Sequence, residues 1–141
     1  MEVREARTES ELTAALALRE RIFCGEQGVS FEADQDGRDP EATHIVAVED
    51  GVVIGTCRLL FRGPVARLGR LAVERNRRGD GIGAEILGEA DRIASEAGSD
   101  SIALHAQTYA LPLYERAGYK PYGPTFVEEG IEHVAMEKRL A

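Results

Sequence analysis

The sequence predicts a mixed α+β (α/β) domain built around one sheet, and three features predict it. Apolar residues alternate from His44 to Val73 and are interrupted by the turn signals Asp50-Gly51 and Gly63-Pro64, so this stretch reads as three antiparallel strands in series. Ile82, Ile86, Leu87, Ala90, Ile93 and Ala94 then recur at helical spacing. Strand signals return after that helix, at Ser101–Ala106, Tyr119–Tyr122 and Ile131–Leu140. The length of 141 residues suits a single domain spanning 1–141.

Each element has a local reason. Val3 to Arg7 alternates enough for a short strand. Thr8 and Glu11 stand three apart, as N-cap and N3 of a capping box, so a helix follows through Leu12, Leu16, Arg19 and Phe23. Gly25 or Gly28 ends it. The segment from there to Thr43 reads as a long acidic loop, and long loops in compact domains are commonly functional. His44–Val48, Val52–Phe61 and Val65–Val73 form the meander. Gly98 stops the central helix. Pro112 opens and Gly118 closes a short helix carrying Leu111, Leu113, Tyr114 and Ala117.

Composition narrows the function. A net charge of −8 excludes nucleic acid as the main partner. No apolar run is long enough to span a membrane, and MEVREARTES lacks the basic-then-apolar order of a signal peptide, so a cytoplasmic protein with no membrane partner is expected. Cys24 and Cys57 have no partner at metal-ligand spacing. They read as buried thiols, and no metal is expected. Charge is also segregated. Seven arginines and one acid lie between Arg58 and Arg78, while six acids and one base lie between Glu26 and Glu41. The first block could hold a small polyanion and the second could draw in a cationic amine; two solvated faces are the plainer reading of the same pattern.

The segment Arg77-Arg78-Gly79-Asp80-Gly81-Ile82-Gly83-Ala84 joins a strand to a helix. Glycines allow close approach of a ligand to the backbone, and the free N–H groups of the helix N-terminus attract an anion. Arg77 and Arg78 can add charge-assisted bonds, which makes a pyrophosphate the natural occupant. Asp80 is unfavourable beside a pyrophosphate unless it points outward. Gly79-x-Gly81-x-x-Ala84 also fits a dinucleotide fingerprint, but that motif belongs in a repeated βαβ fold, and hairpin-like strands precede it here.

Arg78-x-x-Gly81-x-Gly83, following a strand that ends Leu71-Ala72-Val73, resembles the phosphate-binding motif of the GNAT acetyltransferases. Leu113-Tyr114-Glu115-Arg116-Ala117-Gly118-Tyr119 is similar to a second segment of that family. Arg21-Ile22-Phe23 with Glu26-Gln27-Gly28, Asp36 with His44, His105-Ala106-Gln107 and Glu129-Gly130-Ile131-Glu132-His133 resemble its ElaA/YjcF-type branch. The resemblance covers nearly the whole chain. It implies the GNAT acyl-CoA N-acyltransferase fold, a central, mostly antiparallel sheet flanked by helices. It also implies acetyl-CoA as donor. Leu71, Ala72 and Val73 would hold the pantetheine arm, and Arg78, Gly79, Asp80, Gly81, Ile82, Gly83 and Ala84 the pyrophosphate. The acceptor would be a primary amine of a small molecule or peptide, reacting in a ternary complex, and a homodimer is a further expectation.

Amine acetylation needs a deprotonated amine, a polarised carbonyl, a stabilised thiolate and fixed geometry. By the resemblance, Tyr114 is the acid beside the sulfur. The strand Val65–Val73, which carries a carboxylate in many relatives, has only Arg67 and Arg70. Candidates for the base are therefore Glu26, His44, His105 and His133, with His133 preferred on its alternating strand. The missing strand carboxylate also admits a catalytically silent acyl-CoA sensor.

Overall fold

Thr8 caps the first helix through its side chain, accepting from the Glu11 backbone N–H at 3.1 Å, and Glu11 accepts from the Arg7 backbone N–H at 2.7 Å. The Thr8 half of the predicted capping box is therefore formed, while Glu11 reaches one residue further, to Arg7, and Arg4 adds two bonds to its carboxylate. The computed structural model describes residues 1–140. Its strands are β1 (Glu2–Glu5), β2 (Thr43–Glu49), β3 (Val52–Arg62), β4 (Val65–Val73), β5 (Ser101–Gln107), β6 (Lys120–Glu128) and β7 (Ile131–Arg139). Its helices are α1 (Glu9–Arg19), α2 (Phe31–Asp34), α3 (Ile82–Glu96) and α4 (Leu111–Arg116).

All seven strands join one sheet in the order β1-β2-β3-β4-β5-β7-β6. Every pairing is antiparallel except β4 with β5. Helix α1 covers one face, burying Ala15 and Leu18 with Val46, Val53 and Ala72; Ile22, in the turns that follow, joins them. Helix α3 covers the other with Ile82, Ile86, Leu87, Ala90 and Ala94. Each such Ile or Leu removed from water contributes about 1.5–3 kcal/mol. The close fit has a local cause at Gly55. A Cβ there would lie 2.8 Å from Ile86 Cδ1 and 3.1 Å from Ile82 Cγ2, so a larger residue would force both side chains of α3 to shift on β3. No helix among the described residues is long and apolar enough to cross a membrane.

Two segments differ from the sequence reading. The stretch from Gly28 to Thr43 is not a featureless loop: Ser30 caps the short α2, and Asp39–Glu41 forms a 3-10 turn. The final hairpin is longer than Tyr119–Tyr122 suggested, because β6 runs through Gly123 and Pro124 to Glu128 with an irregular register. Glycine and proline hide a strand from pattern reading, and here they sit on the sheet's outer strand, where missing ladder bonds are tolerated.

Candidate active site

The site originates in a fork. Strands β4 and β5 pair only at Val65–Ser101, Ala66–Ile102 and Arg67–Ala103. Beyond Arg67 they separate, so that edge of β4 from Leu68 to Val73 faces the fork instead of a strand. On its other edge β4 carries a bulge. Thr56 pairs with Ala72 and Arg58 with Gly69, so three steps on β4 oppose two on β3. Arg70 takes the extra position with φ of 57°, a conformation that costs a non-glycine residue of order 1 kcal/mol or more. Bulges re-aim backbone groups beside functional sites. Here the re-aimed groups adjoin Leu71 at the fork.

The Arg70 side chain explains how the strain is held. It bonds the carbonyls of Ala33 and Asp34 at 3.2 and 3.4 Å and approaches the carboxylates of Asp34 and Asp36. These contacts belong to a buried network. Arg19 and Asp34, each with a side chain 1% exposed, stand 3.2 Å apart. Arg19 also meets Asp39 at 2.7 Å, and Arg58 meets Asp36 at 2.5 Å and Asp39 at 3.1 Å. His44 Nε2 bonds the Asp39 carbonyl, so Nε2 is the protonated nitrogen. Hydrogen bonds from Arg58 hold the Asp36 carboxyl well below the usual range. At Asp39 burial opposes ionisation, but bonds from Arg19 and Arg58 outweigh it.

This network corrects the reading of two independent charged blocks. Asp34, Asp36 and Asp39 pair with Arg19, Arg58 and Arg70, and Glu41 pairs with Arg62 at 2.5 Å. The acidic stretch is spent on the protein's own arginines, so it is not a lure for amines. The glycine loop is similarly occupied. Arg77 bonds Glu49 and Asp80, and Arg78 bonds Glu26 at 2.9 and 3.2 Å and the Val73 carbonyl at 3.1 Å. Asp80 thus turns onto Arg77, which answers the objection to a carboxylate there.

Between those arginines and α3 lies the anion cradle. Gly79 and Gly81 have φ of 90° and 82°, where an L side chain is strained. Gly81 is the N-cap and offers no side-chain cap, and the first intrahelical bond runs from the Glu85 N–H to the Gly81 carbonyl. The N–H groups of Ile82, Gly83 and Ala84 therefore lack intrahelical acceptors and carry the positive end of a 15-residue helix dipole. These residues fit a pyrophosphate. Helix α4 packs on this turn, with Leu113 3.4 Å from where a Gly83 Cβ would stand.

Tyr114, next on α4, is 8% exposed and lies edge-on to Tyr119 at 6.0 Å. Burial pushes its phenol well above the usual range, so it stays protonated and able to donate a hydrogen bond. Neither cysteine offers a thiolate. Cys57 is fully buried and its thiol is pushed up to about 12; Cys24 is half-buried and also raised by burial.

On the α1 side of the sheet the strands beyond the fork present His105, Gln107 and His133. Gln107 and His133 are cross-strand partners. His133 is 8% exposed, and its Nδ1 donates to the Ile131 carbonyl at 2.7 Å, which leaves Nε2 as the lone-pair nitrogen of the neutral ring. His105 Nδ1 stands 3.1 Å from Glu128. Glu26, a candidate base from sequence, and Gln27, to which sequence reasoning gave no role, lie across the mouth of the fork. Glu26 reaches Arg78 beyond the end of β4, while Gln27 accepts from Gln107 at the end of β5 at 2.8 Å. Glu26 ends a π-helical segment that follows α1, Glu20–Glu26, and Gln27 caps it; such segments are enriched at functional sites. The signal available was the adjacency of Glu26 and Gln27 to Gly25 and Gly28.

The dinucleotide reading does not fit this architecture, since a dinucleotide fold needs a parallel sheet and among the described residues only one strand pair is parallel. Comparison with known proteins agrees. A family model for the acetyltransferase (GNAT) domain matches residues 15–140. YjcF of Bacillus subtilis, named as an uncharacterized N-acetyltransferase, is 31% identical over 134 residues, covering 94% of this chain and 96% of its own. Among solved structures, an acyl-CoA N-acyltransferase of Pseudomonas aeruginosa superposes with a TM-score of 0.87 at 26% identity, covering 98% and 99% of the two chains. ElaA of Escherichia coli shares the fold with a TM-score of 0.89 at 23% identity, covering 99% and 100%. With its forked sheet, β4 bulge and uncapped glycine turn, the chain belongs to the GNAT acetyltransferase family.

Proposed function

We propose that this protein is an acetyl-CoA-dependent N-acetyltransferase that moves the acetyl group to a primary amine of a small molecule or peptide by direct transfer in a ternary complex. The observation that carries the proposal is the fork between β4 and β5, which ends at an uncapped helix N-terminus. The N–H groups of Ile82, Gly83 and Ala84 would bind the pyrophosphate, with Arg78, Gly79, Asp80 and Gly81 shaping the loop. The main chain of Leu71, Ala72 and Val73 would hold the pantetheine amides, and an N–H beside the bulge would polarise the carbonyl. Tyr114 would donate a hydrogen bond to the leaving thiolate. Deprotonation of the amine falls to the histidine-bearing face formed by His133 and His105. The protonated, high-pKa state of both cysteines supports direct transfer over a cysteinyl intermediate.

The test is thermal stability with acetyl-CoA, CoA and NAD titrated separately, followed by thiol release with primary amines. A ligand at about 100 times its Kd adds roughly 2.7 kcal/mol to the folded state. A rise in Tm with acetyl-CoA and CoA but not with NAD, together with amine-dependent thiol release, is expected. Binding without thiol release for any amine would favour a silent acyl-CoA sensor, and no binding would remove the proposal.

A further inference from the structure

Strand β5 leaves β4 after the pair Arg67–Ala103, and the next residue of β5 facing the α1 side is His105. On β4 the corresponding next position is Gly69. A Cβ there would meet nothing within 4 Å, so the sheet has an open floor beside His105. The strained bulge at Arg70 follows at once. Thus an imidazole, an unfilled patch of sheet and the re-aimed backbone of β4 meet where the fork begins.

The ring is oriented from behind. Glu128 at the end of β6 lies 3.1 Å from His105 Nδ1, and a carboxylate can only accept, so Nδ1 carries the proton and Nε2 the lone pair. Phe126 holds the ring edge-on at 5.0 Å and itself stacks on His133 at 5.9 Å. The His105 side chain is 41% exposed, whereas His133 is buried. Arg67 Nη2 makes a long hydrogen bond of 3.5 Å to His105 Nε2, which the acceptor nitrogen displaces on reaching the ring. A base, a carboxylate that fixes its tautomer and a lone pair held only by one long bond constitute the nucleophile-activating arrangement of a His–carboxylate pair.

We infer that His105, oriented by Glu128, is the group that takes the proton from the acceptor amine, an inference that rests on the acetyltransferase reading above. The acceptor ammonium gives one proton to Nε2, and the resulting imidazolium pairs with Glu128. The nitrogen lone pair attacks the thioester carbonyl carbon. As the C–N bond forms and the C–S bond breaks, a second amine proton passes to the thiolate, leaving the amide and the CoA thiol. The imidazolium then returns its proton to water. The Arg67 charge beside the site favours the free amine over the ammonium. Glu128 acts through His105 as a positioning residue.

The experiment measures acetyl-CoA affinity and then thiol release with phenethylamine, cadaverine and a lysine-containing peptide as probes. His105→Asn is expected to lower kcat by about 100-fold or more, the range for a lost general base, with KM for acetyl-CoA unchanged. Glu128→Gln should lower kcat less, Glu128→Asp should recover part of it, and neither should change KM for acetyl-CoA. His105→Ala should regain turnover with added imidazole, a rescue that a structural role would not give. Wild-type kcat in His105→Asn, a larger loss in His133→Asn than in His105→Asn, or absence of imidazole rescue would overturn the assignment to His105 while leaving the acetyltransferase reading intact. Absence of thiol release by the wild-type protein with every probe would instead be the failure of that reading, and the inference would fall with it.

Discussion

Glu26→Gln should tighten CoA binding, although it removes a hydrogen-bonded ion pair. The proposed site assigns Arg78 to a phosphate, yet its guanidinium is bidentate on Glu26 at 2.9 and 3.2 Å. Ligand and Glu26 therefore compete for the same donors. The two side chains are 44% and 30% exposed, and an ion pair this accessible is worth about 0.2–1 kcal/mol. Releasing it converts to an affinity gain of about 1.4- to 5-fold. Removing a negative charge from beside the incoming pyrophosphate acts in the same direction. Isothermal titration with CoA at low ionic strength reads the gain directly, and added salt should shrink it because the pair is screened. Unchanged or weaker affinity in Glu26→Gln would refute the competition and with it the assignment of Arg78 to the phosphate.

Three further perturbations probe the rest of the molecule. Tyr114→Phe should lower kcat while leaving CoA affinity and Tm close to wild type, because it removes one donor from a buried ring; equal turnover in a steady-state assay would take Tyr114 out of the chemistry. Gly55→Val should destabilise by about 1–3 kcal/mol in chemical denaturation, since its added atoms overlap Ile86 and Ile82, and CoA affinity should weaken as the N-terminus of α3 shifts. Asp36→Asn should cost stability at pH 7, a smaller but still substantial amount at pH 3, and little only where the pH has fallen through the depressed folded pKa. Arg58 holds the folded pKa of Asp36 well below its unfolded value of 3.8, so the contribution is fully present above 3.8, begins to shrink below it and is lost only as pH falls through the folded value; a cost equal at pH 7 and pH 3 would contradict the ion pair.

The sequence carried the parts of the fold that depend on local chemistry. The Thr8–Glu11 cap, the Asp50-Gly51 turn and the α3 stripe each have a short-range cause, and each formed where the residues indicated. The glycine turn was legible for the same reason, since a positive φ at Gly79 and Gly81 is a property of those residues. What remained hidden was long-range. Arg19 lies on a helix face and Asp34 in an acidic loop, and nothing within either segment announces that both side chains end up 1% exposed against each other. Likewise the pairing of β5 with β7 rather than β6, which sets His105 beside Glu128, depends on how the last hairpin docks.

The buried network links the two halves of the site. Replacing such a network by apolar residues can leave a fold equally stable, so stability alone is a weak reason for its presence. Its position suggests a geometric role. Arg70 both occupies the bulge in β4 and ties that bulge to α2, while Arg58 anchors Asp36 and Asp39 from β3. The bulge cannot relax to a regular strand without pulling Arg70 from the Ala33 and Asp34 carbonyls. Nor can the α1–β2 connection swing away without stranding Arg19 and Arg58 as buried charges. The α1–β2 connection and the open edge of β4 are therefore held at a fixed spacing. A reaction between two bound molecules depends on fixed spacing, because a displacement of about 1 Å at the reacting atoms can cost a hundredfold in rate.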